Sequence, residues 1–300
     1  MRNIAIAIVG PTSSGKSELA VRLAKKFKCE IISADSRQVY KGLDIGSGKI
    51  SKKEMSGIPH HLLDVASPKQ KFTVTRFEKL AKKVMAQIWQ RGNLPIIAGG
   101  TGFYVDVLTG EITTAAVKPD QVLRQKLGKL PAEKLFARLQ KLDPDRAKTI
   151  DPKNPHRLIR AIEIASNSRG EAERNLSPLA RSHLDIGWLK IGIQTDPDDL
   201  KQQINRRLDQ RLRRGLISEV KKLKQSGLSW KRLEELGLEY RLISRHLRGQ
   251  LSIDSLIAKL EIENWKLAKR QLTWFKRDSS IVWIKNYREA EKSVLAFLRK

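Results

Sequence analysis

The run GPTSSGKS, Gly10 to Ser17, has the spacing G-x-x-x-x-G-K-[ST]. It follows an apolar run and opens a helical one, the context that a phosphate-binding P-loop requires. In such a loop successive backbone N–H groups line a concavity at a helix N-terminus. Unpaired donors and the helix dipole there favour an anion. Gly10, Pro11, Thr12, Ser13, Ser14, Gly15, Lys16 and Ser17 are therefore candidate phosphate-binding residues. Lys16 adds a point charge for phosphate oxygens, and the Ser17 hydroxyl is a candidate ligand for Mg²⁺.

A cradle identifies phosphate but not a reaction. Nucleotide-binding and ATP-binding proteins usually pair it with an apolar strand ending in an acid that holds the metal. Here the obvious partner run continues as AGGTGFY, with no acid at that point. In ISADSRQVYKG (32–42), Asp35 is the one acid at a strand end close in sequence to the cradle. Two roles stay open for it at this stage: service to the metal, or service to a second substrate. A third, bland role is capping its own loop.

The elements that must hold these residues are legible from pattern. IAIAIVG (4–10), EIISAD (30–35) and LPIIAGG (94–100) are continuous and β-branched, as buried strands are. KSELAVRLAKKF (16–27) and TRFEKLAKKVMAQIWQRG (75–92) carry apolar residues at helical spacing. Strand–helix–strand order predicts a parallel sheet with right-handed crossovers, hence an α/β, P-loop NTPase-like core. From 118 to 184 the sequence turns helical, Pro-interrupted and strandless, before GWLKIGIQTD (187–196) restores a strand. That pattern predicts an all-helical insertion (118–184) between two parts of one core (1–117 and 185–300). The polar stretch SNSRGEAERNLSP is expected to be a mobile exit loop. IVWI (281–284) is a last strand and EAEKSVLAFLRK a closing helix.

Charge points to the partner. The 300 residues hold 59 Lys and Arg against 32 Asp and Glu, a formal net charge of +27. Solubility needs only mixed signs, so this excess predicts a polyanionic partner such as nucleic acid. One cysteine, Cys29, excludes an internal disulfide framework and suits a reducing, cytoplasmic setting, where it reads as a small core residue. No run is long and apolar enough to span a membrane. His60 and His61 read as structural, because adjacent side chains diverge and no third metal ligand stands nearby.

Several segments together resemble the tRNA dimethylallyltransferases, also called isopentenyl-tRNA transferases. In chain order they are GPTSSGKS, DSRQVYKGLDIGSGK, GIPHHLLD, GGTGFY, NPHRLIRAIE, LGLEYR and AKRQLTWFKRD, spanning roughly residues 8 to 278. The resemblance implies transfer of a dimethylallyl group from dimethylallyl diphosphate to N6 of the adenosine adjacent to the anticodon, position 37. The tRNAs would be those reading codons that start with U. It implies that the cradle holds the diphosphate leaving group and not ATP, with Mg²⁺ as cofactor. The partner is the tRNA anticodon stem-loop, and a monomer is expected.

An exocyclic adenine amine is a weak nucleophile that must lose a proton as it attacks, so it needs a general base. By the resemblance Asp35 fills that role, and Thr101, Lys16 and Arg207 complete the catalytic set. Arg206 is the alternative to Arg207 if the register slips by one. Asp35, Ser36, Arg37, Gln38 and Thr101 are expected to meet the tRNA. So are Arg124, His156, Arg157, Leu158, Ile159, Arg160, Gly237, Tyr240 and Arg241. Lys269, Arg270, Gln271 and Trp274 match a late basic-aromatic motif, although a Trp with snorkelling cations is equally a core arrangement. A base held in an anticodon stack would have to be extruded to reach such a site. Three other functions compete: prenylation of a free adenine nucleotide, phosphoryl transfer from ATP to a small molecule, and non-catalytic RNA binding.

Overall fold

The computed structural model describes residues 3–114, 117, 119–167 and 186–299. Apart from Ser166 and Asn167, the expected exit loop lies outside the described residues. In chain order the elements are β1 (Asn3–Val9), α1 (Lys16–Phe27), β2 (Cys29–Ser33), α2 (Lys52–Met55), β3 (His60–His61), α3 (Val74–Gln90), β4 (Leu94–Ala98) and α4 (Gly102–Thr109). Four helices follow: α5 (Gln121–Leu127), α6 (Ala132–Leu142), α7 (Pro144–Thr149) and α8 (Pro155–Asn167). The chain resumes with β5 (Ile186–Ile193), α9 (Pro197–Arg213), α10 (Leu216–Gln225), α11 (Trp230–Glu235), α12 (Leu238–Leu247), α13 (Ile253–Phe275), β6 (Val282–Ile284) and α14 (Tyr287–Leu298). Two compact units divide the chain: Met1–Ile112 with Asp185–Lys300, and Thr113–Leu184. The second begins at Thr113 rather than at 118, just after Gly110 caps α4.

The first unit is built on a six-stranded parallel sheet of order β3-β2-β4-β1-β5-β6. The two-residue period of the strand decides what each face receives. Ala5, Ala7 and Val9 of β1 join Phe77, Ala81, Met85 and Ile88 of α3. Ile6 and Ile8 turn the other way, onto Leu19, Ala20 and Leu23 of α1 and Ala290 and Val294 of α14. Both faces are covered, so the strands read as unbroken apolar runs. A third cluster packs α10, α11, α12 and the start of α13 around Leu216, Val220, Leu233, Ile243 and Leu256.

A network of four polar groups centred on buried Glu30 holds the edge of the sheet. The Glu30 carboxylate accepts two bonds from the Arg91 guanidinium at 2.8 Å each, one from Asn93 at 2.9 Å, and faces His61 Nε2 at 2.7 Å. The Arg91 fork holds Glu30 down at about 2, against the pull of burial, with Asn93 and His61 assisting. His60 and His61 thus form edge strand β3, where His61 serves the Glu30 network. Cys29 is buried at the start of β2, and burial pushes its thiol up to about 12.

The second unit, Thr113–Leu184, has its own small core of Leu127, Leu135, Leu139, Leu158 and Ile162. Among the described residues, no helix is long and apolar enough to cross a membrane.

Candidate active site

The cradle lies where β1 ends and α1 begins, at the carboxyl edge of the sheet. Gly15 precedes α1 with φ +86°, a left-handed conformation that costs a side-chain-bearing residue free energy. The Ser14 hydroxyl is buried without a hydrogen-bond partner, the state expected of a group waiting for a ligand. Lys16 donates to Pro11 O across the loop. Burial pulls the Lys16 ammonium down to about 7; Asp35 opposes that pull and Arg207 adds to it.

Asp35 stands one strand away, where β2 runs out. Its Oδ1 accepts the Arg37 N–H at 2.7 Å and the Gln38 N–H at 3.3 Å, an Asx-type turn that fixes the carboxylate. The bland capping role is therefore real, and it coexists with exposure to the cleft. Asp35 lines one cleft with Thr12, Ser13, Lys16, Ser17, Arg37 and Gln38. From the far side come Arg207 and Arg211 of α9, Glu239 of α12, and Asn264, Leu267 and Gln271 of α13.

Neighbouring groups shape this loop. Thr101 Oγ1 accepts the Ser36 N–H at 3.1 Å, tying the end of β4 to residues 35–38. Gly99 passes so close that a Cβ there would lie 2.1 Å from Ala34 O. Gln38 receives the Ser33 hydroxyl at 3.0 Å and donates to Gly48 O at 3.3 Å. Of the two adjacent arginines, Arg207 rather than Arg206 lines the cleft. Ser17, Gly48, Arg207 and Arg211 also line a neighbouring cavity of about 410 Å³.

Three contributors went unread in the sequence. Glu219 accepts the N–H groups of Asp44, Ile45 and Gly46 at 3.0, 2.6 and 3.0 Å, together with the Tyr240 hydroxyl at 2.9 Å. It thereby holds the loop that roofs the cleft. Glu239 is driven upward by burial, offset in part by Arg211 at 3.3 Å. Glu219, an isolated acid in a basic helix, gives no periodic signal, and Glu239 lay inside the LGLEYR segment without being singled out. Arg211, the third, looked like one more cation on a solvated helix face.

Several expected RNA contacts prove to be structural. Tyr240 is almost wholly buried against Gly46 and bonded to Glu219, so its side chain braces the fold and is not a free RNA contact. Gly237, at φ +144°, lies against the Arg37 side chain, and Arg241 emerges half-buried on the next turn.

In the second unit Leu158 is fully buried in the core, which excludes it from any RNA surface, and Ile159 packs on that core. The apolar members of HRLIR face inward because a helix has one buried stripe. His156 and Arg157 are exposed. Arg124 forms a two-pronged pair with Glu163 at 2.9 and 2.7 Å, and Arg160 reaches the same carboxylate at 2.6 Å. Burial works to raise Glu163, yet the two guanidinium groups hold it at about 2. The Arg124 fork is thus engaged internally.

Comparison with known proteins places the chain in a family. Residues 38–278 match the family model described as IPP transferase. The chain is 37% identical over 305 residues to a tRNA dimethylallyltransferase of Thermoanaerobacter sp. (strain X514), covering 98% of this chain and 96% of that one. It is 42% identical over 291 residues to tRNA dimethylallyltransferase 1 of Syntrophus aciditrophicus, covering 95% and 94%. The crystal structure of the full-length tRNA isopentenylpyrophosphate transferase of Bacillus halodurans superposes with TM-score 0.74 at 34% identity, covering 100% and 97%. A eukaryotic dimethylallyltransferase acting on tRNA gives 0.77 at 25% identity, covering 94% and 74%. With a family model matching most of its length and relatives 37–42% identical over 95–98% of it, the chain belongs to the tRNA dimethylallyltransferase family.

Proposed function

We propose that this protein transfers the dimethylallyl group of dimethylallyl diphosphate to N6 of the adenosine adjacent to the anticodon, position 37, in tRNAs reading U-starting codons. The observation that carries this reading is the one cleft lined by both Lys16 of the cradle and the Asp35 carboxylate. A bond forms between N6 and C1 of the allyl group while the C1–O bond breaks. Diphosphate leaves with the electron pair, and the N6 proton passes to the Asp35 carboxylate.

The backbone donors of residues 13–17 and the charge of Lys16 stabilise the departing diphosphate. Arg207, at the rim shared by both cavities, adds a second cation to the same oxygens. Ser36 and Thr101, already bonded to one another, position the nucleotide beside Asp35. Magnesium, when bound, neutralises charge on the leaving group. The donor set suits an ion held chiefly by phosphate oxygens and water, with Ser17 as the protein oxygen. Among the described residues, no group of three or more His, Cys, Asp or Glu could hold a metal by itself.

The deciding assay supplies dimethylallyl diphosphate and Mg²⁺ with tRNA, AMP or ATP in parallel. Prenylated adenosine is expected with tRNA alone. Label in AMP but not in tRNA, or ATP consumed without prenylation, contradicts the reading.

A further inference from the structure

A second concave surface lies beside the active-site cleft, on the same pair of helices. Arg241, Leu242 and Arg245 of α12 face Lys259, Ile262, Glu263 and Lys266 of α13 across a groove of about 540 Å³. Four cations stand against one carboxylate there. Glu263 is already taken by Lys266 at 2.7 Å, and it is held down by that bond, with Arg270 and Arg241 acting at longer range. Arg245 reaches Glu234 at 3.6 Å from the outer edge. Ile262, in the midst of these charges, is 53% exposed, an apolar surface with no core to join.

The groove continues the cleft. At about 100° per residue, Lys259, Glu263, Lys266 and Arg270 fall on one face of α13, and Asn264, Leu267 and Gln271 on the adjacent face. The latter three line the cleft with Asp35. On α12 the step is as short, from Glu239 in the cleft to Arg241 in the groove. Lys259 and Lys266 are about 10 Å apart along the helix, so they present separated cations along one edge of the groove.

We propose that this groove is a docking track for the phosphodiester backbone of the RNA strand leading away from the base held at Asp35. The inference rests on the tRNA reading above and extends it from Arg241 to Arg245, Lys259, Ile262 and Lys266, which lie outside the matched motifs. The four cations neutralise phosphates along the strand, and Ile262 offers an apolar contact to a sugar or base face. The track sets register without reading sequence. Its contribution falls with salt, as counterion release requires.

The test measures binding of an anticodon stem-loop RNA by fluorescence anisotropy across a salt series, alongside prenyl transfer to the same RNA. The Lys259→Gln/Lys266→Gln protein should lose on the order of tenfold in affinity, and its log–log salt slope should flatten by about 1.4–1.8. In transfer the loss should appear in KM for RNA, and Lys259→Arg/Lys266→Arg should restore both quantities. Unchanged slope and affinity in a variant that melts like the parent would overturn the track. Weakened binding to polyglutamate with unchanged RNA binding would also overturn it, assigning the groove to an acidic protein. A parent that binds RNA with the predicted slopes but transfers no prenyl group would sink the catalytic reading and leave the track standing.

Discussion

Gln271 and Thr12 are 259 positions apart in the chain, yet the Thr12 N–H donates to Gln271 Oε1 at 2.7 Å. The same side chain donates from Nε2 to Gly100 O at 2.9 Å. One amide, near the C-terminal end of a 23-residue helix, therefore clamps the cradle to the end of β4. An amide suits both bonds, because one end accepts and the other donates. Thr101, the next residue after Gly100, is bonded to Ser36, so the clamp links the diphosphate end of the cleft to the acid end.

The clamp can be tested by replacing Gln271 with Glu or Met. Glutamate keeps the acceptor for Thr12 but sets a carboxylate against Gly100 O and beside the anion cradle. Its KM for dimethylallyl diphosphate should rise by about tenfold, the scale of one neutral hydrogen bond lost with charge repulsion added, and more than that of the methionine variant. Steady-state kinetics in both substrates checks this, with KM for RNA moving less.

Lys16 gives a proton-linkage prediction. Its pKa in the free cleft is about 7, because burial outweighs the attraction of Asp35. A bound diphosphate favours the charged form, so binding above that pH must draw a proton from solvent and affinity must fall as pH rises through about 7. Calorimetry near pH 8 in buffers of different ionisation enthalpy should register uptake approaching one proton. Lys16→Met should abolish the uptake along with most of the affinity.

Glu30 makes a stability prediction. Its folded pKa of about 2 lies below the ordinary 4.5, so its contribution is present above about 4.5 and is lost as pH falls toward 2. Glu30→Gln should melt earlier near neutral pH by an amount equivalent to about 2 kcal/mol, the scale of hydrogen bonds to a charged group. The two proteins should converge in acid. Arg91 is half exposed and can return to water, which keeps the loss below that of a sealed ion pair.

Local pattern carried much of this architecture and little of its bracing. The sheet strands were readable because they are buried on both faces, and the cradle because its spacing is fixed by anion geometry. Strand β3 was not, since two histidines hold no periodic signal and its existence depends on Ile31 and Ile32 as pairing partners. Leu158 and Tyr240 sat inside matched motifs yet point into the cores. A motif marks that a segment is constrained; it does not say which of its faces is wet. Gln271 was visible as part of a basic-aromatic run, but its partners are fixed only by tertiary structure. Glu219 had no signal at all, because its four donors come from two distant segments.

The most direct test of the proposed chemistry is single-turnover prenyl transfer by Asp35→Asn with saturating tRNA and dimethylallyl diphosphate. Asparagine keeps an acceptor for the Arg37 and Gln38 amides while removing the base. The rate should fall by ~10²–10⁴-fold with tRNA affinity near that of the parent. A transfer rate close to the parent's, or a loss explained wholly by weaker tRNA binding, would contradict the assignment of Asp35 as the group that takes the N6 proton.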